Sequence, residues 1–470
     1  MHLSKTDFIR YLNCPKSLWL LKHKPKLFPK TPLSNYEEKL AAEGYKVQAL
    51  VENYLREEDS ENKYSSEQVF KTKNGLFVAA DIVRHNNDGT LDLFEVKSSS
   101  SISNENLIDA TFQMLTIEKG GLEVNSIHIV HINKNYVRGP SLSIGGMMTF
   151  SLVTNQVRGL EKKVNTEIMG ALEFLKQPTI DETNCSCLKL SRSHHCESFD
   201  YFNPNIAKPS IYNLPRINKK KLSMFSKEQR FDLNEIDDNE VSKNQLRVLT
   251  AAKSNSPVID RSAIKNFYDK VQYPLYFLDY ETYSSAIPVV EGVKPHAHIP
   301  FQFSIHVMAA GNIPDLQHFE HLADRAELPI KMIESMQKII GPKGSIVSWH
   351  KSFENTRNKE MATLYPDKAE FLNSISDRTI DLEDMFKDGY VDIAFGGSTS
   401  IKKVLPVIVP DLSYDKMEVA NGTDAMEAFT RMLNLAIGYE RKKLRHEMLK
   451  YCKLDTLAMV KIFQVMKKHM

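Results

Sequence analysis

The sequence predicts an α/β protein of two domains joined by a linker. Short apolar strands and amphipathic helices alternate in both halves of the chain, which is the pattern of α/β folds. The chain has 470 residues, enough for two to four domains that each bury their own core. Several prolines and a lysine run mark residues 201–262 as the linker. The predicted domains are therefore residues 1–200 and 263–470.

The composition is that of an ordinary globular protein. The chain is 42% hydrophobic and 26% charged, and it has no apolar run near the ~18 residues that a membrane span needs. The apolar stretch 18–21 is short and flanked by charges, unlike a signal peptide. We therefore expect a cytoplasmic protein with no membrane contact. Because the formal net charge is only +2, any nucleic-acid affinity must come from local basic surface.

The first domain begins with helices and continues with strands. A helix is predicted from Ser4, whose side chain can cap the first turn, to a break at Cys14 and Pro15. Asn74 and Gly75 predict the turn of a hairpin. The remaining predictions are a second helix at about 36–55, a polar loop at 57–67, and strands at 69–72, 76–83, 91–97 and 127–132.

Three charged residues lie on two of these strands. Asp81 lies near the end of one strand, and Glu95 and Lys97 share a face of the next, because strand side chains alternate. Carboxylates can hold a divalent metal ion, and an ammonium group can orient water or stabilise developing charge. The set therefore suits phosphodiester cleavage, although a Glu-x-Lys pair is also common on surface strands.

The order of these residues resembles the PD-(D/E)xK nucleases, in particular the RecB-like branch that includes CRISPR-associated nucleases. The resemblance covers about residues 1–200 and implies a restriction-endonuclease-like fold. It further implies that Glu43, Asp81 and Glu95 hold a divalent metal ion and that Lys97 and Gln113 are catalytic residues.

The five cysteines are an odd number in an expected intracellular protein, which argues against a disulfide framework. Cys185, Cys187 and Cys196 form a group, and Cys14 lies far upstream. Some RecB-like nucleases hold a 4Fe–4S cluster with one early and three late cysteines, so the resemblance implies such a cluster. The C-x-C-x8-C spacing departs from the more usual C-x2-C-x5-C. Zinc held by cysteine and the neighbouring His194 or His195 is one alternative, and ordinary buried thiols are another.

The predicted linker contains a basic run. Lys219, Lys220 and Lys221 could follow a phosphate backbone, although a solvated helix face gives the same pattern. Helices are predicted at 233–248 and 262–271.

The second domain is organised around residues 276–282, an apolar and aromatic run that contains Asp279 and Glu281. The run predicts a buried strand, and the two carboxylates point to the same side of it. Because they repel each other unless a cation lies between them, a divalent-metal site is predicted. A strand that ends in an acidic turn is the alternative.

Further elements follow in this half. Tyr451 and Asp455 are four residues apart on a predicted helix and share a face of it, and Cys452 beside them is predicted to be a core residue. The predicted elements are strands at 301–309, 346–354 and 378–382, helices at 328–340 and 446–466, and a Gly-Ser loop that caps a short helix within 395–406.

This order resembles the DnaQ-like DEDD exonucleases, which have an RNase H-like fold, over about residues 260–470. The resemblance implies that Asp279, Glu281, Glu354 and Asp455 bind two metal ions. It also implies that Tyr451 orients the attacking water. Glu354 departs from the pattern because the family usually has aspartate there.

The combination of the two halves resembles an uncharacterised bacterial family defined by a domain of unknown function; the stretches that carry this resemblance are 277–282, 300–304 and 401–406. Together the resemblances imply a dual nuclease that uses Mg²⁺ or Mn²⁺. Its expected substrate is DNA, single-stranded or with free ends, with 3′–5′ exonuclease activity in the second domain, for repair, recombination or defence. Two alternatives stay open: an RNA-processing exonuclease, and a protein that binds nucleic-acid ends with one decayed site.

Overall fold

The computed structural model describes residues 2–30, 32–309, 316–415 and 417–470. The backbone forms two compact units. The first comprises Met1–Asn205 together with Ser285–Ala297, and the second comprises Ile206–Ser284 together with His298–Met470. Most of the segment assigned to the linker from the sequence therefore belongs to the second unit. A short excursion from the second half of the chain, Ser285–Ala297, belongs to the first.

The first unit is a mixed sheet with helices. Its strands are β1 (Leu3–Ser4), β2 (Lys63–Lys71), β3 (Leu76–His85), β4 (Leu91–Lys97), β5 (Val124–Ile132) and β6 (Met148–Leu152). Its helices are α1 (Lys5–Asn13), α2 (Pro15–His23), α3 (Asn35–Glu58), α4 (Asn104–Lys119), α5 (Ile144–Met147), α6 (Thr154–Lys176) and α7 (Phe199–Phe202).

Local sequence signals set the boundaries of these elements. The Ser4 side chain accepts a hydrogen bond from the Asp7 backbone N–H, and the Asp7 carboxylate accepts one from the Ser4 N–H, which confirms the predicted start of α1. Pro15 opens α2, as predicted from the break. The prediction of a loop through residue 67 is wrong, because β2 begins at Lys63 and buries Tyr64 against Phe94.

The sheet of the first unit has the strand order β1-β3-β4-β5-β6, and β2 pairs with the antiparallel β3. β3 and β4 are antiparallel, whereas β4 and β5 are parallel. Helices α4 and α6 pack together, and a core of mainly aliphatic side chains joins them to the sheet. Because α4 follows β4 directly, one face of α4 lies over the charged end of that strand.

The second unit has two sheets, one of five strands and one of two strands. Its strands are β7 (Val258–Ile259), β8 (Leu275–Tyr283), β9 (Ile299–Met308), β10 (Leu316–Leu322), β11 (Ser345–Ser348), β12 (Thr379–Asp381) and β13 (Tyr390–Val391), and β7 pairs with β13 in the smaller sheet. Its helices are α8 (Lys219–Lys227), α9 (Lys243–Ser254), α10 (Arg261–Tyr268), α11 (Ile330–Ile339), α12 (Ser352–Leu364), α13 (Ala369–Asp377), α14 (Ile401–Ile408), α15 (Gly422–Asn434) and α16 (Tyr439–Met466).

Strand β8 lies at the centre of a five-stranded sheet of order β10-β9-β8-β11-β12. It is antiparallel to β9 and parallel to β11, and β11 is parallel to β12. The predicted buried strand is thus confirmed, because β8 has a neighbour on both edges. Helix α16 packs across β8 and β9. No helix among the described residues is both long and apolar enough to cross a bilayer.

Residues 206–262 pack as part of the second unit because they bury apolar side chains of their own. Leu222, Phe225 and Leu233 are each at most 1% exposed. Asn213 donates a hydrogen bond from Nδ2 to the Gly396 carbonyl at 3.0 Å. Gly397 has φ +77, and a Cβ there would lie 1.9 Å from the Asn213 carbonyl oxygen, so only glycine fits this close approach.

Two predictions for the second half need correction. The helix predicted at 233–248 is wrong before residue 243: residues 233–235 form a 3-10 turn capped by Asp232, and α9 begins at Lys243. Ser242 and Gln245 form a capping box there, which is a stronger start signal than apolar spacing. The strand predicted at 346–354 ends at Ser348, and Glu354 lies on α12.

Candidate functional site

Glu95 is the buried centre of a charged site in the first unit. Its side chain is 3% exposed and lies on β4. Gln113 donates from Nε2 to one carboxylate oxygen, and the Lys97 ammonium pairs with the other. The ammonium of Lys5, the first residue of α1, lies 2.9 Å from that same oxygen. The structure therefore brings together three predicted residues and adds Lys5.

Asp109 and Asp81 extend the site. Asp109 Oδ2 lies 3.3 Å from Lys5 Nζ and 3.2 Å from Lys97 Nζ. Asp81 accepts a hydrogen bond from the Val96 backbone N–H at 2.9 Å. Asp109 was not predicted, although it lies four residues before Gln113 and hence on the same helix face. No sequence pattern identified Lys5 as part of this site, because 90 positions separate it from its partner Glu95.

Glu43, predicted as a metal ligand of this site, has different neighbours in the structure. Its Oε1 pairs with Lys39 Nζ at 3.1 Å along α3. Its Oε2 lies 3.5 Å from the backbone nitrogen of Ala286, which belongs to the excursion Ser285–Ala297. The described contacts therefore tie Glu43 to its own helix and to the excursion, and none of them joins it to Glu95.

The pKa values of the three acids of the site differ strongly. Burial, followed by the charge of Glu95, raises the pKa of Asp81 to about 7 and that of Asp109 to about 6. Burial also opposes ionisation of Glu95, but the ammonium groups of Lys5 and Lys97 and the Gln113 amide outweigh it and lower the pKa of Glu95 to about 2. At neutral pH, Asp81 is thus the acid of this group that most often carries a proton, and an incoming cation must displace that proton.

We expect Mn²⁺ binding at this site to strengthen as pH rises through about 7, because protonated Asp81 must lose its proton before it can coordinate an ion. The raised pKa also means that, without metal, this group stabilises the fold most below the unfolded value of 3.8 and loses that contribution towards pH 7. Calorimetric titration on either side of pH 7 would measure both affinity and proton release. An Asp81→Asn variant should show a flatter pH profile, and identical profiles would contradict the assignment.

The four cysteines singled out from the sequence meet in the first unit. One sulfur from each of Cys14, Cys185, Cys187 and Cys196 lies within 4.8 Å of the others. Cys14 lies at the break between α1 and α2. The hydrogen bonds among the thiols lower the pKa of Cys185 and raise those of Cys187 and Cys196, so the group does not ionise fully by itself. The four sulfurs could hold a metal ion.

The neighbouring histidines make other contacts. His194 Nδ1 lies 2.8 Å from the Ser191 hydroxyl, and the His195 ring stacks on Phe199 with centroids 3.5 Å apart. Among the described residues, the ligand group around Cys14 contains sulfur donors only. A Cys/His zinc site is therefore not the arrangement found, whereas a four-sulfur set suits both zinc and a 4Fe–4S cluster.

The acids predicted in the second half converge on one cavity. Asp279 and Glu281 come from β8, Glu354 from α12, and Tyr451 and Asp455 from α16, and all five line a cavity of about 510 Å³. Tyr451 and Asp455 share a face of α16 as predicted, because they are one helical turn apart. The five residues thus come from three separate elements and line the same cavity.

The protein surroundings disfavour charge on every acid of this cavity. Burial, followed by neighbouring carboxylates, raises the pKa values of Asp279, Glu281 and Glu354, although part of the Asp279 surface faces the cavity. Burial also raises the pKa of Asp455, against hydrogen bonds from Tyr451 and Tyr414. Glu354 is 3% exposed, and its Oε2 has no hydrogen-bond partner among the described residues. Such a set stores repulsion that a divalent cation would relieve.

Two more residues contact the acids, and a third contacts Tyr451. Tyr414 donates a hydrogen bond to Asp455 Oδ1 at 2.6 Å, and Lys402 Nζ lies 3.3 Å from Tyr451 Oη. Cys452, predicted as a core residue, is indeed buried, and its Sγ lies 3.5 Å from Asp279 Oδ2. Lys402 follows the Gly-Ser loop that the sequence singled out, but no pattern linked it to Tyr451.

The basic run lies on α8 in the second unit. Lys219 and Lys220 are exposed, whereas Lys221 donates to the Glu240 carbonyl and is partly buried. Two of the three predicted phosphate-binding lysines are thus accessible. The hydrogen bond of the third connects α8 to the 3-10 turn Asp238–Glu240.

Comparison with known proteins finds a family model that matches part of the second unit, including some residues of its cavity. Residues 276–400 match the model of a domain of unknown function (DUF2779). This range contains Asp279, Glu281 and Glu354 and ends before Tyr451 and Asp455. The match supports the resemblance to an uncharacterised family.

Two curated relatives also match. The chain is 30% identical over 218 residues to the uncharacterized protein MG366 of Mycoplasma genitalium, which covers 42% of this chain and 32% of that protein. It is 28% identical over 221 residues to the MG366 homolog of Mycoplasma pneumoniae, covering 42% of this chain and 33% of that protein. The chain spans about a third of the length of these relatives.

Proposed function

We propose that this chain is a metal-dependent nuclease with two hydrolytic sites, and that the second unit removes nucleotides from 3′ ends. The observation that carries the proposal is the convergence of Asp279, Glu281, Glu354 and Asp455 with Tyr451 on one cavity. Acids with raised pKa values gathered in this way suit Mg²⁺ or Mn²⁺, which prefer oxygen ligands. Bound ions of this kind activate water and stabilise charge on phosphate.

The residues of the cavity would have different roles in hydrolysis. The four carboxylates would hold the ions, and the Tyr451 hydroxyl, one helical turn from Asp455 on the same face of α16, would orient the attacking water. The apolar part of the same cavity includes Trp349, Phe353 and Met426, which offer a surface on which the terminal base and sugar can pack. The sheet order of the second unit, antiparallel β8–β10 followed by parallel β11 and β12, supports the resemblance to the RNase H-like fold.

The charged site around Glu95 in the first unit is proposed as the other hydrolytic site, of the RecB-like kind. We call it the first site, and the cavity of the second unit is the second site. Glu95, Lys97 and Gln113 are in contact, and Asp109 and Lys5 complete the charged group. The four-cysteine group in the same unit supports the proposal, because it matches the RecB-like layout. We propose a 4Fe–4S cluster there, with a four-cysteine zinc site as the alternative.

The decisive experiment uses the purified 470-residue chain, stripped of divalent ions and then supplied with Mg²⁺ or Mn²⁺. Single-stranded DNA and RNA of the same sequence, labelled at either end, would be compared. Stepwise shortening of a 5′-labelled strand is the expected product of a 3′–5′ exonuclease. DNA is the favoured substrate. A strong preference for RNA would make the protein an RNA-processing enzyme, and metal-dependent binding without cleavage would make it an end-binding protein.

Replacing Lys97 with methionine should lower cleavage by the first site about 10²–10⁴-fold, because the ammonium next to Glu95 is lost while the apolar stem still fits. The measurement is the cleavage rate in an Asp279→Ala background, where only the first site can act. Lys73→Met, an exposed lysine in the β2–β3 turn, is the matched control and should leave the rate unchanged. Equal rates for Lys97→Met and its parent would remove Lys97 from the mechanism.

A further inference from the structure

Cys452 is in contact with the carboxylates of the second cavity. It lies on α16, directly after Tyr451, and is fully buried. Its sulfur, one oxygen of Asp279 and one oxygen of Glu281 all lie within 4.8 Å of one another. A thiol next to two carboxylates forms a mixed sulfur and oxygen donor set, unlike the all-oxygen sets that suit Mg²⁺.

The spacing of these donors fits a tetrahedral ion. Bonds of about 2.3 Å from zinc to sulfur and about 2.0–2.2 Å from zinc to oxygen, at a tetrahedral angle, place sulfur and oxygen about 3.5 Å apart. The distance from Cys452 Sγ to Asp279 Oδ2 is 3.5 Å. Mg²⁺ takes oxygen ligands in octahedral geometry and gains little from sulfur. The same pocket can therefore distinguish soft ions from hard ones.

A second observation points to a ligand. The Glu354 side chain lines the same cavity, is 3% exposed, and has no partner for Oε2 among the described residues. A buried carboxylate oxygen without a partner is costly unless a cation or donor meets it. Glu354 can thus provide a fourth donor.

We propose that the second cavity also binds one thiophilic divalent ion, Zn²⁺, through Cys452, Asp279 and Glu281. Without that ion the Cys452 thiol keeps its hydrogen and donates a hydrogen bond to Asp279 Oδ2. On binding, a zinc–sulfur bond forms, the S–H bond breaks and one proton leaves to solvent. Zn²⁺ then competes with Mg²⁺ or Mn²⁺ for Asp279 and Glu281 and holds the cavity in an inactive state. The competition with catalysis rests on the proposed exonuclease function, whereas the binding of zinc does not.

The test uses Co²⁺, a spectroscopic substitute for zinc, because cobalt bound to thiolate absorbs in the near ultraviolet and cobalt bound to oxygen alone does not. The 470-residue chain and its Cys452→Ser variant, both with the four-cysteine group loaded as purified, would be titrated in parallel. The wild type should take up one more equivalent of Co²⁺ with thiolate absorbance, and zinc should displace it. Cys452→Ser should lose that absorbance and bind zinc at least about tenfold more weakly.

A second variant, a folding control and an inhibition measurement make the outcome decisive. Cys452→Ala serves if serine at this buried position disturbs folding, and unchanged Tm with retained Mn²⁺ binding identifies folded variants. Equal absorbance and stoichiometry in wild type and variant would overturn the proposal. Inhibition by zinc in Mg²⁺ buffer, expressed relative to each protein's own zinc-free rate, should weaken in the variant. If the wild type cleaves nothing, the proposed function fails, and the cobalt spectra still decide whether the site exists.

Discussion

Replacing Asp279 with alanine should abolish the proposed 3′–5′ exonuclease activity, with a loss of about 10²–10³-fold or more in rate. Asp279 lies on the central strand β8, lines the cavity and is within reach of both Glu281 and Cys452. No other side chain on β8 can take its place, because the next residue on the same face is Glu281 itself. The measurement is shortening of a 5′-labelled strand in a Lys97→Met background, where the first site is disabled.

Two variants calibrate this result. Asp367→Ala removes a carboxylate that is 69% exposed in the same unit and should leave the rate unchanged. Tyr451→Phe should slow cleavage less than Asp279→Ala, since the ring stays and only the hydroxyl, which contacts Lys402, is removed. Wild-type cleavage by Asp279→Ala in the disabled background would place the activity elsewhere in the chain.

The same substitution should have the opposite effect on stability. Burial and neighbouring carboxylates raise the pKa of Asp279, so its charged form is unfavourable in the folded state. Without divalent ions, Asp279→Ala should therefore melt at a higher temperature than wild type near neutral pH. Mn²⁺ should raise the Tm of wild type and affect the variant less, because binding to the folded state is what stabilises it.

Replacing Cys14 with serine should unfold or loosen the first unit and leave the second unit folded. The four-sulfur group joins Cys14 to a segment about 170 residues later, and metal bonds that close so long a loop contribute directly to folding. Structural metal sites bind with apparent free energies of about 10–16 kcal/mol, similar to the whole stability of a domain, about 5–15 kcal/mol. Limited proteolysis with identification of the surviving fragment, together with metal analysis, would measure the effect.

The control for this variant is a cysteine outside the group. Cys452→Ser should keep the metal content of the first unit and its resistance to protease. Iron with inorganic sulfide and a brown colour that bleaches on reduction would identify a 4Fe–4S cluster, and stoichiometric zinc in colourless protein would identify a zinc site. Protein that contains neither metal and tolerates Cys14→Ser would leave the four residues as ordinary buried thiols.

Local patterns in the sequence were enough for much of the architecture. The apolar run of β8, the capping residue of α1 and the proline that opens α2 all act over a few neighbouring positions. The Tyr451–Asp455 pair follows from helix periodicity alone. Where several local signals compete, the prediction fails, as with α9, whose capping box at Ser242 decides its start.

Contacts between distant segments could not be predicted in this way. Lys5 meets Glu95 only because α1 packs beside the sheet, and Tyr414 meets Asp455 only because the chain after α14 returns to α16. Neither residue belongs to a local pattern with its partner. The contact between Cys452 and Asp279 was hidden for another reason: a cysteine next to a core tyrosine has the composition of a core position, which it is, and no local pattern relates it to Asp279 on β8.

The excursion Ser285–Ala297 affects the order in which the protein can be completed as it is synthesised. Ala286 is fully buried in the core of the first unit with Val47 and Val51, and Arg138 exchanges backbone hydrogen bonds with Gly292 and Val293. The first unit therefore lacks a piece of its interior until the ribosome has passed residue 297, after β8 has already been made. The N-terminal 205 residues cannot finish folding before the second unit has begun. A gene fragment cut at residue 205 would encode an incomplete first unit, and a fragment meant to fold must also contain Ser285–Ala297.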